Sequence, residues 1–356
     1  MQHFFKGGIR PDFNKNLTEN LSISIMPPPA FVYIPVTRHS GKEAVVAVKE
    51  GQRVKKGELI ASVAEELSCN IYSSVSGTVK SIAERPSVTD KKILRVEIEN
   101  DFREDEISLP KIEPVNFTPE TLINRIKEAG IAEISGSGST LVINGVECEP
   151  YITCGYRIML EYAKELLAGI NCLKIALGAK TVFLGVEENK KEAVKALLNR
   201  PEAVLADKRG KKYEDKIQIV PIKPKYPQDA EKQLIHSLTK HKILEKNFPG
   251  GAGACVFNVH TALSAYFAVY EGKPVFQRVI TVSGKGAAYP CNAWIKNGML
   301  YMDIAKEAGV LEAARVLSFE SEAGLSASDL ETAASKTTDG VLFLTEDEIK
   351  KLRIEN

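Results

Sequence analysis

From Thr118 to Gly272 short apolar runs alternate with amphipathic helical ones, and this rhythm restricts the fold more than any other feature. The strand-like runs are TLVIN (140–144), TVFLG (181–185), KIQIVPI (216–222) and ACVFN (254–258). Between and after them lie helical patterns over 156–177, 190–200, 229–238 and 261–272. A further helix is expected to open at Thr118-Pro119, a favoured pair for N-cap and first turn, and to stop at Gly130. A βαβα succession of this kind predicts a mostly parallel sheet covered by helices on both faces, an α/β domain.

The flanking regions read differently. Over 28–100 short strands are punctuated by Gly51, Gly57 and Gly77, as in a small all-β unit. The phrases VKEGQRVKKGELIASV and SSVSGTVKSI resemble the barrel-sandwich hybrid of biotinyl and lipoyl carriers. Glu66 stands where such carriers hold their modifiable lysine, and no lysine occurs between Lys56 and Lys80, so a structural role is expected. After Gly272, PVFQRVITVSG and GMLYMDIAKEAG suggest a β-grasp-like module, and the tail carries one further strand, GVLFLT. The expected division is a barrel-sandwich region over 1–110, the α/β domain over 115–271, a β-grasp domain over 272–318 and a tail over 319–356.

A net charge of +1 offers no global field for nucleic acid or an anionic membrane surface. No apolar run approaches the ~18–20 residues that span a bilayer, and MQHFFKGGIRPDF lacks the apolar core of a secretion signal. A cytoplasmic chain without a membrane span is expected. The cysteines, Cys69, Cys148, Cys154, Cys172, Cys255 and Cys291, form no CxxC pair. That spacing argues against zinc or iron–sulfur ligation and for buried thiols. The histidines form no HExxH pair, and no metal site is expected.

In an open parallel sheet, ligands bind beyond the carboxyl ends of the strands. Three of the expected strands run into INGVECEP, GVEENK and FNVHT. Those junctions hold Asn144, Glu147, Glu149, Glu187, Asn189, Lys190, Asn258 and Thr261. Amides and carboxylates gathered at one crevice suit a polyhydroxylated ligand such as a ribityl or ribose group. The alternative reading of each is structural: asparagine as a helix cap, and Glu187-Glu188 as compensation for a helix dipole.

The segments FKGGIRPD, IPVTRHSG, VKEGQRVKKGELIA, INGVECEPYIT, LGVEENK, KPKYPQDAEKQLI and FNVHTA occur in this order. Together they resemble RnfC, the NADH-oxidising subunit of the Rnf electron-transport complex, and more distantly the flavin-binding NADH subunit of respiratory complex I. The resemblance implies a barrel-sandwich hybrid, a Rossmann-like flavin domain and a β-grasp domain of the SLBB type. It implies hydride transfer from NADH to FMN and onward electron transfer to iron–sulfur clusters. Glu147 and Glu187 would be the carboxylates at the reacting centre, and Asn144, Glu149, Asn189, Lys190, Asn258 and Thr261 the cofactor contacts. Partners would be the other subunits of a membrane complex, with the chain held peripherally on the inner face.

The chain departs from that pattern in several places. The family's long Gly-rich flavin-phosphate loop is replaced by IAEISGSGST, where residues 135–140 are followed by a strand and not by a helix N-terminus. Asp229-Ala230 replaces a Gly-Gly pair, and SEAGLSA replaces a GGPMMG segment. No CxxCxxCxxxCP run occurs, so no iron–sulfur cluster is expected in this chain. Alongside an electron-transfer subunit stands a second reading: a truncated or non-catalytic scaffold that no longer binds FMN and serves docking. A general SLBB ligand-binding protein is a third. FMN is expected to bind this chain weakly or not at all.

Overall fold

The computed structural model describes residues 12–36, 44–62, 69–86, 92–131, 139–206, 213, 215–228, 230–239, 253–311, 314–321 and 324–354. Two units emerge. One is made of Met1–Asn14, Lys111–Ile126 and Ile134–Glu271, the other of Lys15–Pro110, Lys127–Glu133 and Gly272–Asn356.

The second unit begins with β1 (Ile23–Ile25), β2 (Phe31–Pro35), β3 (Val45–Val46), β4 (Arg53–Val54), β5 (Leu59–Ser62), β6 (Ile71–Tyr72), β7 (Gly77–Pro86) and β8 (Lys92–Asn100). Strands β2, β8, β7 and β4 form one small sheet in that order, and β3, β5 and β6 a second. Their apolar residues alternate along the strands, which places Val32, Ile34, Val54, Ile60, Val79, Val96 and Ile98 in one core. Glu66 lies outside the described residues.

The α/β unit opens with α1 (Pro119–Glu128), whose last two residues fall in the other unit and whose expected cap forms: Thr121 N donates to Thr118 Oγ1 at 3.2 Å. Then follow β9 (Thr140–Gly145), α2 (Cys154–Glu161), α3 (Ala163–Leu177), β10 (Thr181–Glu187), α4 (Lys191–Leu198), β11 (Ala203–Leu205), β12 (Ile217–Ile222), α5 (Glu231–Thr239), β13 (Ala254–Asn258) and α6 (Val259–Tyr266). All strand pairs are parallel, in the order β11-β12-β10-β9-β13. Central β10 is buried at every residue, as a strand with helices on both faces must be. Strand β11, three apolar residues of which Leu205 is exposed, is too short to show a period and was not expected from the sequence.

Two helices differ from expectation. The continuous helix over 156–177 is broken at Tyr162, whose φ of −113° and ψ of 31° leave the helical region. Helix α6 starts earlier than expected, because Asn258 caps it, and it ends in a π-helical turn, Phe267–Glu271. Helices α3 and α6 approach very closely: a Cβ on Gly169 would lie 1.8 Å from Ala262 O.

The second unit resumes with β14 (Gln277–Ser283), β15 (Cys291–Lys296), α7 (Tyr301–Ala308), β16 (Arg315–Glu320), β17 (Gly324–Ala327), β18 (Thr338–Leu344) and α8 (Glu346–Ile354). A six-stranded sheet runs β1-β15-β14-β18-β16-β17. The GVLFLT strand, β18, sits inside this sheet, parallel to β14 and antiparallel to β16. Ile280, Val282, Ile295, Tyr301, Ile304, Val341 and Phe343 form its core against α7. Among the described residues no helix is long and apolar enough to cross a membrane. Five of the cysteines are buried and Cys291 is partly so.

Candidate functional site

The strand order creates a switch point. From β9 the chain steps outward to β10 and β12, then returns to β13 on the other side of β9. The crevice at such a reversal is the ligand position of open α/β sheets. Asn144 and Asn258 are direct register partners there, and Gly185 pairs with Asn144 from the other side. The three junctions singled out in the sequence are thus the ends of three adjacent strands.

Each side chain at these ends has a local task. Asn144 Oδ1 accepts from Val146 N at 3.0 Å, an Asx-type turn that takes the chain off β9. At Gly145 a Cβ would lie 2.6 Å from Gly185 O and 2.7 Å from Met159 Sδ, so only glycine fits between β10 and α2. Glu147 is 7% exposed, and its Oε1 accepts from Gly155 N at 2.6 Å. Thr153, at the N-cap of α2, makes no side-chain cap, so the Glu147 carboxylate does that work at the positive end of the helix. Tyr151, in the same loop, is fully buried at φ +69°, a costly conformation for an aromatic residue, and its N–H donates to Phe13 O at 2.7 Å.

At the end of β10, Glu187 is 2% exposed and its carbonyl accepts from Lys190 N at 2.9 Å. Lys190 is 4% exposed, with its ammonium 4.4 Å from the ring centroid of Tyr156, a cation–π contact. At the end of β13, Asn258 Oδ1 accepts from Thr261 N at 2.8 Å and from Thr261 Oγ1 at 3.0 Å. The helix-cap alternative for Asn258 is therefore realised. Glu149 and Thr261 are partly buried, and Asn189 is exposed.

Three neighbours were not foreseen from the sequence. Tyr156 lies under Lys190, His260 is buried at the start of α6, and Arg157 is buried with its Nη2 2.6 Å from Glu161 Oε1. The i,i+4 spacing of Arg157 and Glu161 was the available signal; nothing in sequence tied Tyr156 to Lys190.

The Ser–Gly run lies mostly outside the described residues, since 132–138 are not described; nor is Asp229. Ser139 is described: its carbonyl accepts from Lys180 N at 2.9 Å and Thr181 N at 3.1 Å. Thr140 N donates to Gly253 O at 3.2 Å. Both residues stand at the amino ends of β9, β10 and β13. At about 3.3 Å per residue, β9 separates them from the crevice by roughly 17 Å.

Residues 126–266 match the family model of the Nuo51 FMN-binding domain, and residues 3–103 that of the RnfC barrel sandwich hybrid domain. The C subunit of the proton-translocating ferredoxin:NAD(+) oxidoreductase complex of Clostridium ljungdahlii is 32% identical, over 97% of this chain and 77% of that protein. Its counterpart in the ion-translocating oxidoreductase complex of Rhodobacter capsulatus is 33% identical, over 96% of this chain and 68% of that one. The counterpart in the Na(+)-translocating ferredoxin:NAD(+) oxidoreductase complex of Acetobacterium woodii is 29% identical over 97% and 80%. Among solved structures, an NAD+-reducing [NiFe]-hydrogenase in the H2-reduced state shares the fold, with a TM-score of 0.50 and 16% identity. That likeness covers 64% of this chain and 47% of the hydrogenase chain, so the match spans about half of the latter. By its identity and coverage against these relatives, the chain belongs to the RnfC family.

Proposed function

We propose that the chain serves electron transport as the RnfC-type component of an ion-translocating, membrane-associated complex, docking its partners without holding FMN by itself. The family supplies NADH and FMN as the expected substrate and cofactor. In this reading 115–271 is a Rossmann-like flavin-type domain, 1–110 holds the barrel-sandwich hybrid, 272–318 is an SLBB β-grasp domain and 319–356 its tail. Other subunits of the complex are the partners, and they hold the chain on the inner face of the membrane.

The described residues do not fit the whole of FMN. The ring and ribityl chain find an amide, a carboxylate and a hydroxyl at Asn144, Glu149 and Thr261. A phosphate dianion at this crevice would stand beside Glu147, Glu149 and Glu187, whose like charges raise the cost of binding it, with the buried Lys190 opposing that cost. Ser139 and Thr140, the described end of the candidate cradle, stand at the opposite edge of the sheet. The observation that carries the reading is the use of Glu147 Oε1 and Asn258 Oδ1 as helix caps, which commits one oxygen of each side chain to the backbone.

The test is flavin titration of the purified chain, followed by fluorescence. No stoichiometric FMN complex is expected, and FMN should bind no more tightly than riboflavin. A yellow protein with one flavin per chain, bleached by NADH, overturns the reading and returns Glu147 and Glu187 to the reacting centre.

A further inference from the structure

Cys69 and Lys336 meet in the β-rich unit, outside every residue discussed for the flavin crevice. Cys69 precedes β6 and is 8% exposed. Lys336 occupies the turn leading into β18, and its Nζ donates to Cys69 Sγ. The same Nζ lies 3.5 Å from Gly130 O. Nearby, Asn70 Nδ2 donates to Glu128 O at 3.2 Å, and Tyr72 Oη donates to the same carbonyl. The carbonyls at the end of α1 account for a cation in this place. They do not account for the sulfur beside it.

A second observation concerns the adjoining space. Lys336, Asn70, Tyr72 and Asn297 line a cavity of about 40 Å³. Asn297 is 7% exposed; its Nδ2 donates to Val275 O at 3.2 Å, while its Oδ1 has no hydrogen-bond partner among the described residues. A buried acceptor lining a cavity of this size provides room and one anchor for a small hydroxylic molecule, water or a peroxide.

We propose that Cys69 and Lys336 are a redox-modification site, which hydrogen peroxide converts to a reversible sulfenamide cross-link. In the first step the thiol sulfur takes one oxygen from the peroxide, giving a sulfenic acid and one water. In the second, the Lys336 ammonium releases a proton to solvent and its nitrogen attacks that sulfur: the N–S bond forms, the S–O bond breaks, and hydroxide leaves as water with a second proton from the nitrogen. The pair has lost two hydrogens, and both oxygens of the peroxide end in water. Two equivalents of thiol reverse the step, regenerating thiol and amine with release of a disulfide.

The thiolate is the oxidisable form of cysteine. Burial pushes the Cys172 thiol up to about 12 and that of Cys291 to about 11, and raises that of Cys255, which protects all three. Cys69 has an amine already in contact to intercept its oxidised form. In a reduced cell the link is absent; under peroxide it joins the segment before β6 to the turn before β18.

The full chain treated with hydrogen peroxide and digested with trypsin without reductant tests this. Expected is a peptide pair joining Cys69 to Lys336, lighter by two hydrogens than its parts, uncut at Lys336 and separated by dithiothreitol. Lys336→Arg keeps the charge, forms no link and leaves Cys69 as a sulfenic acid that dimedone traps. The proposal fails if Lys336 stays cleavable in the wild-type chain, whether Cys69 remains a thiol or is carried only to its oxyacids.

Discussion

Replacing Glu147 by alanine separates a structural carboxylate from a catalytic one. Its Oε1 accepts from Gly155 N at 2.6 Å in a loop where the side chain is almost wholly buried. A hydrogen bond to a charged group contributes about 1.5–3 kcal/mol, and a carboxylate at a helix N-terminus adds about 0.3–1. Alanine removes both and leaves Gly155 N–H without its acceptor, so a loss of about 2–4 kcal/mol is expected. For units of about 150–250 residues, each kcal/mol lowers the melting temperature by about 2–4 °C. Thermal unfolding followed by far-UV circular dichroism should therefore fall by about 5–15 °C for Glu147→Ala. Glu147→Gln keeps the acceptor and loses the charge, and should fall by only about 2–4 °C. If Glu147→Ala melts within about 1 °C of wild type, the capping argument is wrong.

Gly169→Ala should destabilise the α/β unit by about 1–3 kcal/mol, because its Cβ would meet Ala262 O at 1.8 Å; a neutral effect in denaturant titration would refute the close α3–α6 crossing. Glu320 supplies a pH test. It accepts from Thr338 Oγ1 at 2.6 Å and Thr337 Oγ1 at 2.8 Å, and burial raises its pKa above 4.5 despite those bonds. An acid raised in the folded state contributes stability that is full below its unfolded value of about 4.5 and is lost as pH rises through the folded value. Glu320→Gln should flatten that loss; an unchanged slope of stability against pH between about 4.5 and neutrality would count against it.

Much of the candidate site was legible because its determinants are local. A parallel sheet is written as alternation along the chain, and ligands lie past the carboxyl ends of its strands. Reading where TLVIN, TVFLG and ACVFN end was therefore enough to place Asn144, Glu187 and Asn258 at the carboxyl ends of adjacent strands. The tasks of those side chains were harder to read. Asn258 capping Thr261 is a contact three residues apart, and its structural alternative was open from the start. Glu147 capping Gly155 depends on how the ECEPYIT loop turns, with Tyr151 held at a positive φ.

The sequence by itself determined the β-rich start, the alternating middle and the family, since each rests on residue patterns along the chain. It also carries a short Ser–Gly run over 135–139 just before the first strand of that alternation. Only the tertiary structure decided which strands are neighbours, that Ser139 stands at the amino edge of the sheet, and that Lys190 lies over Tyr156. It alone brought Lys336 to Cys69 across 267 residues of chain. The reason is physical: periodicity records which face of an element is buried, while a pairing between distant side chains is set by packing, which no local pattern carries.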